Sequence, residues 1–236
     1  MIKVFQSTKE ANVAAADLLS GWLTEKSTRT FMPRPGNTPL ELYRLIAEKR
    51  LDLARLNIFI LDEYVGVPKT EPRNCANLLR RSVQTAWRIP DQQFHTISSE
   101  ETDALPSILA HEKKIDLAGG LDVLVLGLGE NGHLGFNEPG SARDSRARVV
   151  PLERISVAAN RKWFEGKYAP DKGVTVGLKT ILATKRILIM AYGPHKTDAV
   201  HAMVKSPPGP HCPASFLQEH HEVHVFLDDR AAAGLK

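Results

Sequence analysis

Short apolar runs alternate with helical patterns along the whole of this 236-residue chain, and this alternation constrains the fold more than any other feature. Several of the runs are almost continuously apolar, as expected for strands that helices cover on both faces. Strands are predicted at residues 3–5, 28–32, 57–61, 94–97, 121–126, 186–191 and 223–227. The pattern indicates an α/β fold, a Rossmann-like three-layer sandwich with a mostly parallel central sheet.

Helical patterns fill the segments between these strands. Ser7 with Glu10 forms a capping box before one helix, and Thr38 with Glu41 forms another, with Pro39 at the first helical position. Further helices are predicted at residues 75–87, 106–116, 156–164, 178–183, 196–204 and 214–220. The sequence contains neither an internal repeat nor a convincing linker, so residues 1–236 are predicted to form a single domain.

The formal charge of +4 raises the question of a nucleic-acid partner. No run of lysine and arginine exceeds two residues, and aromatic residues make up only 6% of the chain, so neither a basic stripe nor a stacking platform is present. The excess is expected to be ordinary surface charge, and the alternative is that part of it lies in a pocket for a phosphorylated metabolite. We expect no nucleic acid as a partner; the loops described below point to a small molecule instead.

The sequence shows neither a membrane span, a secretory signal nor a disulfide framework. No apolar run approaches the ~20 residues of a membrane span, and the first residues, MIKVFQSTKE, do not resemble a secretory signal. Two cysteines, Cys75 and Cys212, do not make a disulfide framework. We expect a cytoplasmic protein without a membrane partner.

Four loops follow predicted strands, at residues 33–38, 62–66, 127–141 and 193–196. Ligands of open parallel sheets bind beyond the carboxyl ends of the strands. The loops are therefore expected to converge on one site.

Two of these loops carry features of anion binding. RPGNTP, at residues 34–39, and GPHK, at residues 193–196, each place a glycine turn at the start of a helix, where a phosphate is favoured. A cation in a first helical turn is unfavourable unless an anion binds beside it, and Lys196 is such a cation. An ordinary capped turn and an exposed lysine are the alternatives.

The other two loops carry acid–base groups. LDEYVG places Asp62 at the tip of an apolar strand, where a partly desolvated carboxylate can remove a carbon-bound proton; the alternative is a residue that caps the next turn. GLGENGHLGFNEPGS, at residues 127–141, holds His133 in a glycine-rich turn with Glu138 five residues later. A histidine oriented by a carboxylate moves protons at neutral pH. The glycine spacing matches neither a dinucleotide fingerprint nor a P-loop.

The segments LDEYVG, GLGENGHLGFNEPGS, GNTPLELY and VTVGLKTIL together resemble the hexosamine-6-phosphate deaminase (isomerase) family, which shares its fold with 6-phosphogluconolactonases. The resemblance extends over nearly the whole chain. It implies conversion of a 2-amino-2-deoxyhexose 6-phosphate into a ketohexose 6-phosphate and ammonia, without a cofactor or a metal ion.

The resemblance also implies a role for each matching residue. Asp62 would carry the proton from carbon 2 to carbon 1 of the opened sugar, and His133, oriented by Glu138, would open the ring. The residues implied to hold the phosphate are Gly36, Asn37, Thr38 and Lys196, joined by Lys162 or its neighbour Arg161.

Asn131 is a departure from the pattern, because glucosamine-6-phosphate deaminases have aspartate two residues before the histidine. Asparagine can orient an imidazole but cannot stabilise its positive charge. Asn131, together with GLK at residues 177–179 and PASFL at residues 213–217, is more similar to the galactosamine-6-phosphate branch. The sequence does not determine the oligomeric state, and a homo-oligomer is one possibility.

Other functions remain as alternatives. A 6-phosphogluconolactonase would use the same histidine to activate water, although its family has DER where this chain has DEY. A non-catalytic sugar-phosphate sensor or a silent homologue would share the fold. A metal site in the histidine-rich segment is disfavoured because the i, i+4 spacing of His220 and His224 runs into a predicted strand.

Overall fold

The computed structural model describes residues 1–235; Lys236 lies outside the described residues. Within this range, seven strands form a wholly parallel central sheet in the order β1-β10-β9-β6-β2-β3-β5. These strands are β1 (Ile2–Phe5), β2 (Thr30–Met32), β3 (Asn57–Phe59), β5 (Phe94–His95), β6 (Val123–Gly127), β9 (Arg186–Ala191) and β10 (Val223–Asp228). The predicted α/β fold with a mostly parallel central sheet is confirmed.

Seven α-helices accompany the strands in the described part of the chain. They are α1 (Thr8–Thr24), α2 (Leu40–Glu48), α3 (Cys75–Leu79), α4 (Ala104–Leu117), α5 (Arg154–Trp163), α6 (Leu178–Leu182) and α7 (Thr197–Lys205). One large cluster of buried apolar side chains joins six of them to the sheet, whereas Val157 of α5 packs on a smaller cluster of Phe136, Val150 and Leu152. Strand β6 is buried at every position, as its unbroken apolar sequence predicts. None of the helices within residues 1–235 combines the length and apolar character needed to cross a membrane.

A second, antiparallel sheet was not predicted. It consists of β4 (Asp62–Tyr64), β7 (Arg148–Pro151) and β8 (Lys172–Thr175), in the order β4-β8-β7. Each strand is three or four residues long and pairs only within this sheet, so its formation depends on segments that are distant in the sequence. Strand β4 begins at Asp62, and this sheet therefore fixes the backbone of the predicted base.

The two predicted capping boxes have different outcomes. The Ser7 hydroxyl accepts the backbone N–H of Glu10 at 3.2 Å, as predicted. At α2 the prediction is wrong, because Pro39 is itself the N-cap and its helix start carries no side-chain cap. Thr38 lies one residue too early to cap.

The predicted helix at residues 75–87 is also modified. It is α-helical only as far as Leu79 and continues as a π-helical turn over Arg80–Thr85. The segment predicted as a helix at residues 214–220 is a 3-10 helix, Pro213–Glu219. Another 3-10 turn, Pro194–Lys196, precedes α7.

Candidate active site

A cavity of about 210 Å³ lies at the edge where the carboxyl ends of the parallel strands meet. Four residues predicted from separate loops line it: Gly36, Asp62, His133 and Lys196. Side chains of α3 and α5 line it as well. The expectation that independent strand-end loops meet at one place therefore agrees with the geometry.

Asp62 supplies a buried carboxylate to this cavity. The residue is 5% exposed, and its Oδ1 atom has no hydrogen-bond partner among the described residues. Burial raises the pKa of Asp62 to about 7; the positive charge of Arg34 opposes this effect and the negative charge of Glu63 adds to it. A carboxylate with such a pKa is a stronger base than an exposed one and is still partly ionised at neutral pH.

The neighbouring Glu63 has a structural role. Its carboxylate accepts the backbone N–H groups of Tyr64 at 2.8 Å, Cys75 at 3.0 Å and Ala76 at 2.9 Å. Cys75 and Ala76 begin α3, so the carboxylate satisfies two of the free donors of that helix and lies at the positive end of its dipole. Glu63 thereby ties β4 to α3 directly behind Asp62.

His133 is oriented by two side chains from its own loop. Its Nδ1 atom lies 2.8 Å from Oδ1 of Asn131 and 3.3 Å from Oε2 of Glu138. The amide nitrogen of Asn131 donates to the same Glu138 oxygen at 2.8 Å, which fixes the amide with its oxygen towards the imidazole. Both neighbours of Nδ1 are acceptors, so Nδ1 carries the proton and Nε2 is the atom available for acid–base chemistry.

Glu138 is held from its other side by α5. The hydroxyl of Ser156 donates to Oε1, and the backbone N–H of Glu153 lies 3.4 Å from the same atom. Burial raises the pKa of Glu138, but hydrogen bonds and the charge of His133, with Ser156 and Asn131, outweigh it and lower the pKa to about 2. The carboxylate is therefore ionised throughout the physiological range.

Gly129 is required for the position of the imidazole. A Cβ atom at this residue would lie 2.4 Å from Cγ and Nδ1 of His133, well inside van der Waals contact. The ring therefore packs directly on the backbone of the loop. This close approach explains one of the glycines in the sequence between Gly127 and Gly135.

Two cations also line this cavity. Lys196, in the 3-10 turn after β9, and Arg34, in the loop after β2, both line it. Burial, together with the nearby charge of Arg34, lowers the pKa of Lys196 to about 8, while the charge of Glu130 opposes the change. Two cations that repel each other in one cavity are stabilised when an anion lies between them.

Four of the residues expected at the phosphate do not line the cavity described here: Asn37, Thr38, Arg161 and Lys162. Arg161 and Lys162 are exposed, whereas Asn160 and Trp163 of the same helix line the wall. The helical period turns residues 161 and 162 away when 160 and 163 face the site. The role of these four residues stays a prediction.

Sequence reasoning did not single out Arg34, Glu130 or Ser156. Arg34 stands inside the RPGNTP segment, where a cation beside a glycine turn was an available signal. Ser156 had none, because it meets Glu138 only through the packing of α5. In the histidine-rich segment, β10 begins at Val223, so the helical spacing of His220 and His224 is interrupted as expected.

The sequence family described as glucosamine-6-phosphate isomerases/6-phosphogluconolactonase matches residues 9–226 of this chain. The chain belongs to this family. A glucosamine-6-phosphate deaminase of Cutibacterium acnes is 38% identical over 226 residues, covering 94% of this chain and 87% of that protein. One from Rhodopirellula baltica is 33% identical over 237 residues, covering 98% and 94%.

Solved structures of the glucosamine-6-phosphate isomerase/6-phosphogluconolactonase family share the fold. A monomeric glucosamine-6-phosphate deaminase superposes with a TM-score of 0.94 at 28% identity, covering 99% of both chains. A 6-phosphogluconolactonase from Trypanosoma cruzi gives a TM-score of 0.81 at 22% identity, covering 100% of this chain and 96% of that one. The second likeness shows the common fold alone.

Proposed function

We propose that this protein is a hexosamine-6-phosphate deaminase that converts glucosamine 6-phosphate into fructose 6-phosphate and ammonia. The observation that carries the proposal is the meeting, in one cavity, of a buried carboxylate with raised pKa and an imidazole whose Nε2 is the reactive nitrogen. The relatives from Cutibacterium acnes and Rhodopirellula baltica carry the name glucosamine-6-phosphate deaminase, which supports it.

Ring opening is assigned to His133. The cyclic sugar opens when the anomeric hydroxyl loses a proton and the ring oxygen gains one. Nε2 of His133 can accept the first proton and return it to the ring oxygen, while Asn131 and Glu138 hold Nδ1–H in place. The acid–base group thus ends this step in its initial protonation state.

Isomerisation is assigned to Asp62. Its carboxylate removes the proton from carbon 2 of the open aldose while the ammonium group of the substrate gives a proton to the aldehyde oxygen, which yields a neutral enolamine. Protonated Asp62 then delivers the carbon 2 proton to carbon 1. Carbon 2 is left as an iminium ion, and water adds to it and displaces ammonia to give the ketose. Every step is a proton transfer or the addition of water, so the proposal includes no cofactor.

The 6-phosphate is assigned to two cations that line the cavity. Lys196 and Arg34 provide positive charge there, and Gly36 provides a turn in which the backbone can approach an oxygen atom. We further propose one sugar-phosphate isomerase domain over residues 1–236, because this site draws on positions from 34 to 196. A cytoplasmic location stays a prediction.

Galactosamine 6-phosphate, with tagatose 6-phosphate as product, is the second substrate to test. Asn131 and the segments at 177–179 and 213–217 resemble that branch, but the relatives described above are named for glucosamine 6-phosphate. The monomeric state of one solved relative leaves a homo-oligomer as a question for solution measurements.

The purified protein should be incubated separately with glucosamine 6-phosphate, galactosamine 6-phosphate and 6-phosphogluconolactone. We expect ammonia and a ketohexose 6-phosphate in equal amounts from an amino sugar, and no loss of lactone above the buffer rate. Absence of ammonia from both amino sugars would reject the proposal. Lactone hydrolysis in the same protein would favour the lactonase.

A further inference from the structure

The guanidinium of Arg34 fits in the cavity because Gly127 has no side chain. A Cβ atom on Gly127 would lie 2.2 Å from Nη1 and 2.4 Å from Cζ of Arg34. The guanidinium therefore lies directly on the end of β6. The Arg34 carbonyl is fixed as well, because it accepts the hydroxyl of the fully buried Tyr43 at 2.9 Å.

Asp62 lines the same cavity, and the Cys75 side chain is the hydrogen-bonding neighbour that helps to lower the pKa of its carboxyl group. Its Oδ1 atom is buried without a hydrogen-bond partner within residues 1–235. Moving an unpaired carboxylate out of water is costly, and the usual result is protonation, which abolishes its use as a base.

Arg73, His133 and Lys196 line the same cavity but do not contribute to the pKa shift of Asp62, and the remaining titratable neighbours supply no positive charge. Glu63 and Tyr64 belong to the same strand, and Cys75 comes from α3. Strand β8 places the uncharged Thr175 opposite Asp62. Arg34 is the cation whose field acts on this carboxylate.

We propose that Arg34 is a positioning residue that favours the ionised form of the buried Asp62 carboxylate in the substrate-free site. The inference rests on the proposed function, in which Asp62 is the base. It gives Arg34 a role beyond attraction of the phosphate: its charge offsets the desolvation of a carboxylate that forms no hydrogen bond at Oδ1. Gly127 contributes by leaving room for the guanidinium.

The kinetic test compares pH profiles of kcat/KM for wild type, Arg34→Met and Arg34→Lys. In wild type, activity should rise with pH through about 7 as Asp62 ionises. Loss of a nearby opposite charge raises a carboxyl pKa, so in Arg34→Met the rising limb of the pH profile should move to a pH higher by about one to three units. Raising the pH should therefore restore part of the activity of this variant. Arg34→Lys should keep the limb near its wild-type position.

The matched control is Arg81→Met. Arg81 is exposed on the π-helical turn and does not line the cavity, so its replacement should leave the limb and the rate unchanged. A loss of activity in Arg34→Met that is equal at every pH, with the limb unmoved, would overturn the proposal and leave Arg34 as a phosphate contact only.

A second measurement needs no substrate and separates this inference from the proposed activity. The stability of each protein is measured against pH and compared with the same protein carrying Asp62→Asn. The stability that protonated Asp62 contributes should disappear by about pH 7 in wild type and at a higher pH in Arg34→Met. If Arg34→Met does not fold, Arg34→Gln is measured instead. If the stability contributed by protonated Asp62 disappears at the same pH with and without the guanidinium, the inference is rejected. This result would stand even if the protein deaminates glucosamine 6-phosphate.

Discussion

Nδ1 of His133 and Oδ1 of Asn131 lie 2.8 Å apart, and the amide nitrogen of Asn131 lies 2.8 Å from Oε2 of Glu138. The asparagine therefore bridges the imidazole and the carboxylate. It fixes the protonated nitrogen of the ring without placing a second negative charge beside it.

The first prediction concerns this bridge. Asn131→Leu removes the acceptor at Nδ1 and should lower kcat on the cyclic substrate by about tenfold, the equivalent of one hydrogen bond of ~1.4 kcal/mol. Asn131→Asp keeps an oxygen at the same place and should retain more activity. Steady-state kinetics of both variants provides the measurement, and a Leu variant as fast as wild type would remove Asn131 from ring orientation.

The second prediction concerns the contact between Gly129 and the imidazole. Gly129→Ala places a methyl group 2.4 Å from the ring, so His133 must move, and kcat should fall by up to the ~10²–10⁴-fold that one acid–base group contributes. Gly21→Ala is the matched control. Gly21 lies inside α1 with no heavy atom within 4 Å of its added Cβ, and the exchange should stabilise the fold by about 0.5–1 kcal/mol without changing kcat. Equal kcat in both variants would contradict the assigned position of His133.

The third prediction concerns the pH dependence of stability through Asp62. Its pKa is raised from 3.8 to about 7 in the folded state, so the folded protein binds a proton more tightly than the unfolded chain. The resulting stabilisation is complete below pH 3.8 and is lost as pH rises to about 7; it amounts to about 4 kcal/mol. Relative to wild type, Asp62→Asn should therefore gain stability between pH 4 and pH 8, as measured by urea unfolding. A constant difference across this range would show that Asp62 is not perturbed.

The fourth prediction concerns Glu138 and has the opposite sign. Its pKa is lowered from 4.5 to about 2, so its ionised form stabilises the folded state above pH 4.5, and this contribution is lost as pH falls towards 2. The effect amounts to at most about 3 kcal/mol. Glu138→Gln should be less stable than wild type at pH 7, and the gap should shrink at pH 3. Denaturant unfolding at the two pH values checks this, and an unchanged gap would contradict it.

The fifth prediction concerns the removal of the carbon 2 proton by Asp62, which the Asp62→Asn variant tests directly. The open substrate should no longer exchange its carbon 2 proton with deuterated solvent, because the amide cannot accept it. Proton NMR measures this exchange. Exchange at the wild-type rate would mean that another group is the base.

The sequence predicted the central sheet well because its signal is local. The run at residues 121–126 is apolar throughout, and β6 is indeed buried at every position. The strands β4, β7 and β8 are three or four residues long and pair only with one another, so their existence depends on partners far away in the chain. Such non-local pairing leaves no period in the sequence.

The same distinction holds for the site. Asp62, His133, Glu138 and Lys196 were identified in sequence because each follows a predicted strand in a loop with a recognisable pattern. The placement of the first three agrees with the expected chemistry, but the sequence also put Lys162 at the phosphate, and the turn of α5 leaves that residue exposed.

By itself, then, the sequence determined the α/β architecture, the edge of the sheet where the cavity lies, and the strand-end loops that bring Asp62, His133 and Lys196 to it. Only the tertiary structure decided how those residues behave. Segments distant in the sequence come together when Asp62 is buried beside the charge of Arg34 and when Ser156 donates a hydrogen bond to Glu138. Arg34 itself packs on Gly127. A pKa depends on the solvent and charge that surround a group in space, and these are set when the chain packs.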